Sequence, residues 1–114
     1  MAKLLALGDS HLEALKLAAD LNLLAVDEVR FCIVPGATAV GMRNPNSITN
    51  ALTLFRTAAS SMQDATHILV HLGEVDCGFV MWWRQQKYGE PIEHQMRESL
   101  AAYSDFILEL QSMN

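Results

Sequence analysis

The stretch Lys3-Leu4-Leu5-Ala6-Leu7-Gly8-Asp9-Ser10-His11 decides the fold. An apolar run stops at Gly8 and a segment with helical spacing follows, so the reading is a buried strand, a tight turn and a helix. Ser10 is thereby placed at the carboxyl end of a strand. In open α/β sheets ligands collect at that edge, because helix N-termini there offer unpaired N–H groups and the positive end of the helix dipole. A serine hydroxyl held near such donors has the surroundings a nucleophile requires.

Working outward, Glu13, Lys16 and Asp20 fall three and four apart, so a helix follows in which Leu12, Leu15, Leu17, Ala18, Ala19 and Leu21 cover most of the cylinder. So narrow a polar stripe predicts packing on a sheet and against a neighbour as well. Val29 to Val34 are β-branched and aromatic enough for a parallel strand with both faces covered, ending at Pro35-Gly36. Residues Ala37 to Asn46, with Gly41 and Pro45, fit no period and are read as a loop. Asn46 or Ser47 is expected to cap the next helix, whose Ile48, Ala51, Leu52, Phe55, Ala59 and Met62 repeat at three and four. His67 to Leu72 form a third strand, stopped by Gly73. Phe79 to Tyr88 reads either as a short helix or as a lid, and Gly89-Glu90-Pro91 breaks it. Pro91 suits the first turn of a final helix, Glu90 and Glu93 complement its dipole, and Ile92, Met96, Leu100, Tyr103, Ile107 and Leu110 mark its apolar stripe.

Strand and helix in alternation imply an α/β domain with right-handed crossovers and a short parallel sheet in the order 2-1-3. The third strand is then left at an edge with unpaired backbone groups. A second copy of the chain in a homo-oligomer, or a missing C-terminal segment, is expected to cover it.

Eight Lys and Arg against thirteen Asp and Glu give a net charge of -5 with no basic cluster, which speaks against nucleic acid or an anionic membrane as partner. Half of the 114 residues are apolar, enough for one domain with a real core. Only four apolar residues separate Lys3 from Gly8, and no run is long enough to span a bilayer, so a cytoplasmic protein is expected. Cys32 and Cys77 lack CxxC spacing and are read as small buried residues rather than a disulfide or zinc framework.

The residues at the three strand ends carry a resemblance. Gly8-Asp9-Ser10-His11 after the first strand, Gly36 after the second and Gly73-Glu74-Val75-Asp76 after the third resemble the first three blocks of the GDSL/SGNH hydrolase superfamily. The resemblance takes in residues 1–114 as a single SGNH hydrolase-like domain without its C-terminal strands. It implies a three-layer flavodoxin-like fold and an ester hydrolase, an O-acetyl esterase among the possibilities. The substrate would be a small-molecule or carbohydrate ester, and no cofactor would be needed. It further implies that Ser10 is the nucleophile, with its own N–H and that of Gly36 facing the oxyanion, and it brings Gly73, Glu74 and Asp76 to the substrate side.

Two features depart from the family pattern. Val75 stands where the family carries an asparagine oxyanion donor, a loss worth about 10² to 10³ in rate. The family's terminal Asp-x-x-His block has no counterpart after His94. Asp64 to His67 has that spacing, but with a rise of about 3.3 Å per residue His67 starts its strand about 15 Å from the edge that holds Ser10. A base must come within about 3 Å of the hydroxyl or within one water of it. His71 and His94 are the candidates, with His11 beside the nucleophile. Each residue also has a plainer reading: Asp9 and Ser10 as helix caps, His71 as a core residue, His94 as a solvated one, Glu74 and Asp76 as ligands of loop backbone or an arginine, Trp82 and Trp83 as packing rather than pocket lining.

Two rival functions follow from the same residues. Asp9-x-His11 at a strand end is also how metallophosphoesterases begin, and His71, Glu74, Asp76 and Cys77 on the neighbouring strand would add ligands. Without the asparagine and the terminal histidine block, the chain also suits an inactive or truncated binding or scaffold domain.

Overall fold

The first strand, β1 (Lys3–Gly8), is the axis of the computed structural model, which describes residues 1–113. It lies between β2 (Glu28–Ile33) and β3 (His67–His71) in a three-stranded parallel sheet of order β2-β1-β3. Both pairings run in one register, Leu5 opposite Arg30 and Ile68, Leu7 opposite Cys32 and Val70. Side chains alternate along strands, so Leu5 and Leu7 look to one face and Leu4, Ala6 and Gly8 to the other. The architecture is the α/β plan of a small flavodoxin-like fold, helices lying on a parallel sheet.

The Leu5 and Leu7 face carries the core. Against it pack α2 (Ala51–Ser61) and α4 (Ile92–Ser112), through Ala51, Leu52, Phe55 and Ala59 of the former and Phe106 and Leu110 of the latter. Each buried leucine or phenylalanine contributes about 1.5–3 kcal/mol, so this face dominates the stability. Phe55 and Phe106 meet with ring centroids 6.0 Å apart, which ties α2 to α4. The segment read as a structureless loop takes part as well. It contains a 3₁₀ turn over Val40–Arg43 and buries Ala37 and Met42 in the same core, with Ala39 buried as well.

On the other face a 3₁₀ turn over Ser10–Leu12 leads into α1 (Glu13–Asp20), which has no buried residue. The expectation that this helix is covered on two sides is overturned: Leu17 is 59% exposed and Leu21 and Leu23 are exposed too. The sheet covers one flank of the helix only, and Leu69 on β3 is itself part-open. A helix lacking a broad polar face reads as covered whether or not anything covers it. β2 likewise differs from the doubly covered strand expected. It is an outer strand of half-buried residues with Arg30 exposed and paired to Glu28.

Two further boundaries differ, and of the two readings of Phe79 to Tyr88 the helix is the one observed. α2 begins at Ala51, after Asn50 in the left-handed conformation (φ 56°), without a side-chain cap from Asn46 or Ser47, and Ile48 points fully into solvent. Phe79 to Tyr88 is helical rather than a lid. A π-helical turn over Asp76–Val80 runs into α3 (Met81–Tyr88), which ends at Gly89 in the left-handed cap position. The buried stripe of α4 is Gln95, Ser99, Ala102, Phe106 and Leu110, not the more apolar set through Met96 and Leu100, both of which are exposed. Gln95 and Ser99 are buried because they are satisfied. Gln95 Nε2 donates to the carbonyls of Met81 (2.9 Å) and Glu90 (3.0 Å), and Ser99 Oγ donates to Asp76 (3.1 Å). No helix among the described residues is long and apolar enough to cross a membrane.

Candidate functional site at the carboxyl rim

All three strands end level. Gly8 pairs with both Ile33 and His71, so Ser10, Gly73 and Gly36 lie two or three residues beyond those partners on a single edge. Gly36 (φ 79°) and Gly73 (φ 115°) turn the chain there with positive φ. Gly8 is needed for a different reason. A Cβ on it would stand 2.4 Å from the carbonyl oxygen of His71 and 2.8 Å from Leu12 Cδ1, so only a glycine lets β3 and the first turn close on β1. The closure continues past the strand, the Asp9 N–H donating to that His71 carbonyl at 3.2 Å.

Asp9 is wholly buried and caps the Ser10–Leu12 turn. Its Oδ1 accepts the backbone N–H of His11 at 2.9 Å and lies 2.8 Å from His11 Nδ1. In the tautomer that donates Nδ1–H to the carboxylate, Nε2 is left with the lone pair; the ring stands about half exposed at the surface. His71 pairs with Gly8, hence shares its face, and its ring centroid lies 6.0 Å from that of His11. One ligand atom from each of Asp9, His11 and His71 falls within 4.8 Å of the others. Two buried atoms in this group, Asp9 Oδ2 and His71 Nε2, have no hydrogen-bond partner among the described residues. Each such atom costs about 1–3 kcal/mol when left unpaired, so the cluster is held together against its own desolvation.

No protein-family model matches the chain, and neither curated proteins nor solved structures provide a match.

Ser10 is exposed at the start of its turn, between the buried carboxylate and the half-exposed ring. The other candidates are distributed around it. Asp76 is buried and fully engaged, its oxygens accepting the N–H groups of Ala39 (2.7 Å) and Val40 (3.1 Å) and the hydroxyl of Ser99. It fastens the Val40–Arg43 turn to α4 and stands outside the Asp9, His11 and His71 group. Glu74 is exposed and Val75 half-buried on the turn that follows Gly73. His94 lies on the exposed flank of α4, 3.9 Å from Glu98, which is itself bonded to Arg43. That arginine holds the Glu98 carboxyl below its ordinary range, chiefly through the hydrogen bond. Trp82 donates to the Cys77 carbonyl at 2.8 Å, and Trp83 stands edge-on to Tyr88, so both are spent on α3 and its entry. At the opposite edge Asp64 pairs with Lys3 at 2.6 Å, and His67 lies against the Thr66 hydroxyl. The hydrogen bond to Lys3 lowers the Asp64 carboxyl and raises the lysine.

An apolar groove of about 260 Å³ opens beside Gly73, lined by Leu72, Cys77, Met96, Leu100 and Tyr103 among others. The exposed stripe of α4 thus forms a wall of a groove at the rim. Tyr103 is anchored by donating to the Val70 carbonyl at 2.7 Å, and burial pushes its phenol up.

Sequence reasoning joined Asp9, His11 and His71 only within a wider metal-ligand set that also took in Glu74, Asp76 and Cys77; the structure brings the first three together. The joining signal is the register that sets His71 beside Gly8, together with the cap geometry that folds His11 back onto Asp9. Neither is written in spacing alone. The groove was missed because Met96 and Leu100 read as core.

Proposed function

We propose that the chain is an ester hydrolase of the SGNH kind, working through Ser10. The observation that carries this reading is an exposed serine at the carboxyl end of the central strand, flanked by a buried carboxylate and the imidazole it orients. In this reading Ser10 Oγ adds to the ester carbonyl carbon, and its proton passes through one water to Nε2 of His11, whose ring Asp9 holds from the Nδ1 side. The oxygen that gains the charge faces the N–H groups of Ser10 and Gly36. When the tetrahedral adduct collapses, the alcohol leaves with the proton from His11 and an acyl-serine remains. Water then releases the acid by the same steps in reverse. The groove beside Gly73 suits an apolar acyl chain, since its lining is almost entirely carbon and sulfur. Val75, at the third donor's position, limits the rate.

The reading is tested by treating the folded protein with a fluorophosphonate and mapping the adduct by mass spectrometry. Stoichiometric phosphonylation of Ser10, lost on heat denaturation and in Ser10→Ala, is the expected result. A folded protein that leaves Ser10 unlabelled while hydrolysing p-nitrophenyl esters no faster than Ser10→Ala would overturn it.

A further inference from the structure

We infer that Asp9, His11 and His71 form a binding site for one borderline divalent transition-metal ion, zinc being the best match. Three observations point the same way. The carboxylate is wholly buried, yet its Oδ2 meets no donor among the described residues, which is an expensive arrangement unless a positive group faces it. The ring nitrogen Nε2 of His71 is buried and equally without a partner. One ligand atom from each of Asp9, His71 and His11 lies within 4.8 Å of the others, and the half-exposed His11 ring leaves an approach from solvent.

The donor set selects the ion. Two imidazoles and one carboxylate suit zinc, cobalt or nickel and not magnesium or calcium, which take oxygen ligands. Bonds of about 2.0–2.2 Å to a tetrahedral ion would bring the three donor atoms to about 3.4 Å apart, within the reach of small side-chain rotations from their present spread. The supports are in place too: Asp9 is fixed by the His11 N–H on Oδ1, and His71 by its strand. Three protein ligands at a solvent-facing rim leave one coordination position open, as in sites where a metal binds water or substrate rather than only stabilising a fold. The inference does not depend on Ser10 being a nucleophile. An ion bound through Nε2 of His11 would, however, occupy the lone pair which the serine reading assigns to proton transfer.

The experiment is a zinc titration of the metal-stripped full chain by calorimetry, with cobalt as a spectroscopic probe of tetrahedral nitrogen and oxygen ligation. One ion per chain is expected, with no magnesium or calcium binding, and zinc at 100 times its Kd should raise Tm by about 10 °C. Affinity should fall at least about 100-fold in His11→Ala and in His71→Ala, and should be unchanged in His94→Ala and Cys77→Ser. His11→Ala alters an exposed side chain and keeps the test decisive if the His71 variant does not fold. The absence of one-to-one zinc binding, or zinc binding that survives His11→Ala, overturns the inference.

Discussion

Replacing Asp76 by alanine tests whether this carboxylate belongs to the scaffold or to the chemistry. The side chain is buried and accepts three hydrogen bonds, from the Ala39 and Val40 N–H groups and from Ser99. Each hydrogen bond contributes about 1 kcal/mol and leaving the two N–H groups unpaired in the interior costs about 1–3 kcal/mol each, partly relieved by relaxation, so the expected loss is about 3–5 kcal/mol. That is a large share of the roughly 5–15 kcal/mol available to a domain of this size. Urea unfolding followed by tryptophan fluorescence reads it directly. With a slope of about 1.5 kcal/mol per molar, the midpoint should fall by about 2–3 M with the slope unchanged. Ser99→Ala alone should cost about 1 kcal/mol and add little on top of Asp76→Ala, because the two side chains share one bond. A loss below about 1 kcal/mol in Asp76→Ala, or strict additivity of the two substitutions, refutes the scaffold role.

Gly8→Ala should destabilise the chain by several kcal/mol, about 3 or more, because the added methyl meets the His71 carbonyl and Leu12 at once, and differential scanning calorimetry would register it as a lowered Tm. Glu109 accepts a bidentate pair from Arg56 (2.7 Å each), and the hydrogen bond holds its carboxyl below the ordinary range. The folded state therefore binds this proton later than the unfolded state as acid is added. The stabilisation is present above the unfolded pKa, near 4.3, and fades as pH falls through the lower folded value. For so exposed a pair Glu109→Gln should cost about 0.5–1 kcal/mol at pH 7 and nothing at pH 2, as measured by urea midpoints at both. Leu100→Trp fills the groove beside Gly73; on the ester hydrolase reading it should lower kcat/KM for long-chain p-nitrophenyl esters about 10-fold and leave acetate esters nearly unaffected, and equal effects on both would remove the groove from the acyl side.

The fold was legible where one signal sufficed. Three apolar runs each closed by glycine gave the strands, and alternation with helices gave the sheet order that the pairings display. Burial was less legible, since it depends on what covers a surface. Leu17 and Leu21 lie on a helix that a narrow sheet leaves open, while Gln95 and Ser99 are buried because Met81, Glu90 and Asp76 receive their hydrogen bonds. Apolarity alone assigns the wrong side of α4 to the core. At the rim, the residue types could be picked out from the sequence, but not that Asp9 Oδ1 meets both the backbone N–H and the Nδ1 of His11 while Oδ2 has no partner among the described residues. That detail belongs to rotamers and register.

His71 reaches the cluster on the last residue of an outer strand whose far side pairs with no other strand among the described residues, and its main chain is clasped to Asp9 by one N–H bond. Outer strands open more readily than central ones, so fraying of this strand withdraws one imidazole while the carboxylate and His11 stay on the first turn. Occupancy of the rim and protection of the third strand from solvent deuterium should then rise and fall together, which makes amide exchange along residues 67–71 a gauge of the assembled cluster.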